Sequence, residues 1–202
     1  MNARLLTFDR GDYRIMRLIM VLAAIGLPLG ILGLPAYDLF AGNPLSVALP
    51  ASNLAPVAVA EGVTVGPAGS VLVEVAGAPL GVWAVSLVPG LVVLAAAAVV
   101  LVLLWRVVAA AAAGAPFTVD TVHCLRGISL AVLLGGAAHM VVAGFVDAAL
   151  SRRFLPGEEA VLFVRTSDGG VLFVFAGCML IAMIAEVFAR GVVLEDQLEG
   201  VV

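Results

Sequence analysis

The chain has no lysine, only two cysteines and two histidines, and 12% charged residues, so the side chains that build most active sites are scarce. Neither cysteine falls in 41–79 or 151–168, which leaves no disulfide to staple a domain there. Cys124 and Cys178 also belong at different membrane depths, and a disulfide needs Cα atoms about 4.4 to 6.8 Å apart, so a bridge between them is excluded. Gly-x-Ser-x-Gly, His-Glu-x-x-His, a phosphate loop and paired membrane aspartates are all missing. The expectation is a protein that is not an enzyme. The net charge is −4 and the cations form no stripe, which argues against direct nucleic-acid binding.

What the chain has is oil. Hydrophobic residues make up 63% of it, and its mean hydropathy is +1.21. Four apolar stretches run at 15–40, 80–105, 127–150 and 169–189, each matching the roughly 20 residues that cross a hydrocarbon core. Lipid offers no partner for a bare backbone N–H or C=O, so each stretch must be an α-helix. The fold class expected is therefore all-α membrane: one integral membrane domain over 1–202, built as a four-transmembrane-helix bundle. A cleaved signal peptide is the rival reading of the first stretch. It fits poorly, because the run from Ile15 is long and Gly33-Leu34-Pro35-Ala36 makes a weak cleavage site.

Arginine placement predicts orientation. Arg4, Arg10, Arg14, Arg17, Arg106, Arg126 and Arg190 fall on one side, and Arg152, Arg153 and Arg165 on the other. Cytoplasmic loops carry the positive excess, so both termini and the 106–126 loop are assigned to the cytoplasm. The 41–79 and 151–168 loops face outward. Arginine in place of every lysine suggests a GC-rich genome, hence a bacterial inner membrane.

The first outward loop carries Val57, Val59, Val63, Val65, Val71, Val73 and Val75 at alternate positions around Gly66-Pro67-Ala68-Gly69. Period-two alternation of β-branched residues about a Gly/Pro break reads as a hairpin. Residues 160–166 offer a third strand, so the expected cap is a small extracytoplasmic β hairpin or three-stranded sheet. In the inward loop, an alanine-rich helical extension breaks at Gly114-Ala115-Pro116. Thr118 then stands as an N-cap with Asp120 in the first turn of the next helix.

Polar groups within the spans are the natural functional candidates, because each is costly in lipid unless paired or wet. Asp38 and Asp147 close the outward ends of the first and third spans, and Glu186 lies about one turn inside the fourth. His139 stands about 12 residues, roughly 18 Å, from the inward end of its span, and Cys178 about 9 residues, roughly 14 Å, from the outward end. Those depths coincide, so the two side chains can meet at the bundle centre. No third strong ligand shares that depth, which leaves no metal site and no cofactor expected. Small residues at Gly26-x-x-x-Gly30 and Ala131-x-x-x-Gly135 suit close helix packing, and homo-oligomers use the same device. Pro28 and Pro89 should each interrupt a helix.

Pro116-Phe117-Thr118, then Val122-His123-Cys124-Leu125-Arg126-Gly127-Ile128, and finally Glu186-Val187-Phe188-Ala189-Arg190-Gly191 with Leu194-Glu195, form a pattern across two cytoplasmic segments. This pattern resembles a bacterial family catalogued as domain of unknown function 2975, whose members are four-span membrane proteins often encoded beside a small helix-turn-helix regulator. The chain departs from the family at His123 and Cys124. The resemblance implies a membrane partner of a cytoplasmic transcription factor, with Phe117, Thr118, Arg126, Leu194, Glu195 and Leu198 as partner-binding candidates. The tail fits that role on its own chemistry, since Val193, Leu194, Leu198 and Val201 alternate with Glu195, Asp196 and Glu199. The alternatives are a small transporter or channel using Asp38, His139, Asp147 or Glu186, and an electron carrier that ligates haem through His139.

Overall fold

The computed structural model describes residues 10–50, 63–65, 70–115, 117–154 and 170–199. Their secondary structure is mostly helical: α1 (Arg10–Pro28), a π-helical turn (Leu29–Gly33), α2 (Leu34–Ala41), α3 (Leu80–Ala112), α4 (Val119–Phe154) and α5 (Gly170–Glu199). Strands β1 (Leu45–Pro50), β2 (Val63–Val65) and β3 (Ser70–Val75) form a small sheet. Among the described residues, four segments are long and apolar enough to cross a membrane: Gly11–Ala41, Leu80–Ala112, Val119–Arg153 and Val174–Leu194. Each overlaps one of the four expected spans.

The helices outrun the greasy stretches. The presumed loop 106–126 is largely helix, and only residues 113–118 connect α3 to α4. Hydropathy marks the part of a helix that lipid would cover, whereas the backbone continues until something stops it. At the end of α3 the stop is Gly114, whose φ of 82° suits a residue without Cβ. The Ala115 N–H then reaches back to the Ala110 carbonyl at 3.2 Å. The start of α4 follows the expected capping, with the Thr121 N–H on Thr118 Oγ1 at 3.2 Å and Asp120 in the first turn.

The interruption in the first span sits at Leu29–Gly33. Pro28 is one cause, and Pro35 is the other. A proline ring collides with the carbonyl four residues back, here that of Ile31. A π turn moves the register, so that the Leu34 N–H bonds Leu29 O, five residues behind it.

In the sheet β3 is central, in the order β1-β3-β2, with both pairings antiparallel. The hairpin expectation holds for β2 and β3, where Val63 pairs with Val73 and Val65 with Val71. The third strand is Leu45–Pro50, which pairs Leu45 with Val75 and Val47 with Val73. Val57, Val59 and the strand expected at 160–166 lie outside the described residues.

Contacts divide the chain into two compact units, one of Met1–Leu27, Leu94–Gly136 and Ser167–Val202, the other of Pro28–Val93 and Ala137–Thr166. In the second unit, Leu45, Val82, Trp83, Val146 and Leu150 form a buried cluster, with Val47 and Val75 packed against it. That cluster ties the sheet to α3 and α4. The core of the first unit is Leu125, Ile128 and Ala185, bordered by Leu103, Ile181 and Phe188.

Small residues sort the packing. A Cβ built on Gly135 would collide with the Ala96 Cβ, so the Ala131-x-x-x-Gly135 stripe does bring α4 close to α3. Gly26 and Gly30 have nothing within 4 Å of such a Cβ, so that expected close packing does not occur among the described residues.

Candidate functional site

Two polar clusters stand out, one in each unit. In the first unit, the α3–α4 connection packs on α5. The Phe117 and Phe188 rings lie 5.2 Å apart at 39°, a favourable tilted geometry. Gly191 supplies the room, because a Cβ there would stand 2.7 Å from Phe117 Cδ1. Arg126 Nη2 meets Glu186 Oε2 at 4.0 Å, and Arg190 Nε donates to Glu186 Oε1 at 3.3 Å. These three side chains are more than half exposed, so the network orients them more than it stabilises the fold. Glu186 is thus an ion-pair residue and Arg126 its partner.

Thr118 is engaged as the cap of α4, where its Oγ1 also lies 2.9 Å from Thr121 Oγ1. Leu194 is exposed on α5, and Glu195 and Leu198 fall in the same helix, which runs unbroken to Glu199. Beside the α3–α4 connection, a cavity of about 290 Å³ is lined by Arg106, Thr118, Asp120, Thr121 and Cys124 among others. Arg106 and Asp120 border it without forming an ion pair.

Cys178 belongs to this unit and has a reciprocal link to α4. Ser129 Oγ donates to the Cys178 carbonyl at 3.1 Å, and Cys178 Sγ donates to the Ser129 carbonyl at 3.4 Å. The two side chains themselves approach to 3.0 Å. Cys124 and Cys178 are both free thiols.

In the second unit, His139 and Asp147 line one cavity of about 350 Å³ with Ser46, Ser86, Pro89 and apolar residues that include Ile31, Leu87, Val146 and Leu150. They lie eight residues apart on α4, so two helical turns place them on one face, about 12 Å apart along the axis. His139 Nδ1 is 3.2 Å from the Pro89 carbonyl. A carbonyl can only accept, so Nδ1 carries a proton there. Ser86 Oγ donates to the Trp83 carbonyl at 2.8 Å, and Asp147 is buried at 8% exposure. His139 and Cys178 therefore each have a partner of their own, Pro89 for one and Ser129 for the other.

Asp38 has a helix-ending role. The Asn43 N–H bonds its carbonyl at 2.9 Å, Asn43 Nδ2 donates to Asp38 Oδ1 at 2.9 Å, and Gly42 takes the left-handed turn with φ of 73°. Among the described residues, no three His, Cys, Asp or Glu side chains group closely enough to hold a metal ion. Sequence reading passed over Ser86 and Ser129. A serine inside an apolar helix is the signal the sequence carries at both positions.

No family model, curated protein or solved structure matches the chain.

Proposed function

We propose that this chain is a non-enzymatic bacterial inner-membrane protein, with both termini in the cytoplasm, that holds a cytoplasmic helix-turn-helix regulator against the membrane. The observation that supports it is the course of α5. The helix passes the end of its apolar span at Leu194 and continues to Glu199, while Phe117 seats against Gly191 at the base of that extension. A rigid base presents the sequence Leu194-Glu195-Asp196-Gln197-Leu198-Glu199 as a helix. Such a segment combines acid with two leucines, which complements a basic DNA-binding surface. The partner's class comes from the resemblance to the family named above.

Deleting residues 192–202 is expected to abolish co-purification of the regulator encoded beside the gene while the protein still inserts. Unchanged recovery would remove the tail from the interface. Arg126→Gln, which breaks only an exposed pair, should weaken recovery by about threefold or less.

A second reading, a small transporter or channel component, is favoured by the cavity that gathers Ser86, His139 and Asp147. It requires proteoliposomes of the full chain to pass protons or a small cation, and the His139→Ala, Asp147→Asn double variant to stop them. Equal flux from the two proteins, or none from either, would eliminate it.

A further inference from the structure

A groove of about 350 Å³ runs between α1 and α3, lined by Met20, Val21 and Ala24 on one side and Leu101, Val102, Trp105 and Arg106 on the other. The helices are antiparallel here. Tyr13 Oη donates to the Ala111 carbonyl at 3.4 Å, and the Arg17 guanidinium stacks over the Trp105 ring at 5.6 Å. Arg17 precedes the apolar lining of α1 by one turn, and Arg106 follows that of α3, so both guanidiniums stand at the same end of the groove. From Arg17 to Ala24 the groove extends about 10 Å along the helix. It is open sideways, with Val21, Val102 and Trp105 between 44% and 61% exposed.

From this arrangement we infer that the groove is a binding site for one anionic phospholipid. The phosphate lies between Arg106 and Arg17, and the first part of an acyl chain lies along Met20, Ala24, Leu101 and Val102. Two features select this occupant. Among the described residues, neither Arg17 nor Arg106 has a carboxylate partner, although Arg126 and Arg190 share one. A guanidinium fork matches phosphate oxygens, and basic pockets between transmembrane helices take lipid headgroups for this reason. The remainder of the groove is apolar and ends at a tryptophan, the ring that favours the membrane interface. A second copy of the chain would bring no negative charge unless an acid faced the groove.

The inference rests on the membrane placement of the four long helices and is independent of the tail's role. Its test is native mass spectrometry of the full chain in mild detergent, titrated with phosphatidylglycerol and phosphatidylcholine of identical acyl chains. Wild type is expected to hold phosphatidylglycerol the more tightly. Arg106→Gln and Arg17→Gln should each weaken that lipid about fivefold and leave phosphatidylcholine nearly unchanged. Arg126→Gln should have no effect, and millimolar inorganic phosphate should not displace the lipid. Equal binding of the two lipids, wild-type affinity in the Arg17→Gln, Arg106→Gln double variant, displacement by phosphate alone, or a lipid-free dimer that excludes lipid would each overturn the assignment. A chain that stays soluble without detergent would instead refute the membrane placement beneath it.

Discussion

Gly135→Val is expected to destroy the folded state in detergent, with monodisperse protein lost from size exclusion, whereas Gly26→Val leaves it intact. The two positions look alike in sequence, each belonging to a small-x-x-x-small stripe on a greasy helix. Their surroundings differ. The place a Cβ would take on Gly135 is already occupied by the Ala96 Cβ. That methyl is fixed to its own backbone, so no rotamer change can clear the space, and α3 and α4 would have to separate. Overpacking of this kind costs about 3 kcal/mol or more where nothing can yield. In lipid the loss is felt fully, because helices there associate through packing and not through expulsion of water. Gly26 meets nothing within 4 Å, so a valine there adds an apolar surface in open space. A Gly135→Val protein with wild-type elution and melting would show that the close approach of α3 to α4 is not needed.

Trp83→Ala carries the second large effect. Trp83 is 5% exposed and lies in one cluster with Leu45, Val82, Val146 and Leu150, joining a strand to two helices. Truncating a buried tryptophan costs about 3–5 kcal/mol, from lost transfer energy and from the cavity left behind. The sheet should suffer first. A sheet this small relies on the apolar surface it packs against, and Leu45, Val47 and Val75 find theirs on this cluster. Limited proteolysis should then cut between residues 45 and 75 at a much lower protease concentration than in wild type. Trp105→Ala is the control, since Trp105 is 44% exposed and its removal should cost about 1 kcal/mol or less. Equal resistance of the Trp83→Ala and wild-type sheets would mean that the cluster does not hold it.

The four long helices were legible because lipid demands about 20 apolar residues in a row, a signal no local detail can hide. The Thr118 cap and the Gly114 break were legible for a different reason: both depend on a few neighbouring residues and not on the rest of the fold. Strand β1 was not, since Pro44 and Pro50 bracket it and prolines argue against a strand. Its place at the edge of the sheet makes those prolines tolerable.

Depth along a helix is also readable, but the direction a side chain faces is not. Equal depth makes His139 and Cys178 candidates together, and within its own unit each has a local partner, Pro89 for His139 and Ser129 for Cys178. The same limit hid the packing of Phe117 on Gly191 and the pairing of Arg126 with Glu186, both between residues far apart in sequence. Their places in the chain gave no sign that they touch.

Both proposals require the two ends of the chain to share one face of the membrane, which labelling with a membrane-impermeant maleimide reads out. In a Cys124→Ala, Cys178→Ser background, single cysteines replace Gly11, Glu74 and Gln197, all exposed positions. Intact bacterial cells should label only the Glu74→Cys protein, and permeabilised cells all three. Labelling of Gly11→Cys and Gln197→Cys from opposite faces of the membrane would overturn the four-span topology with both ends inside.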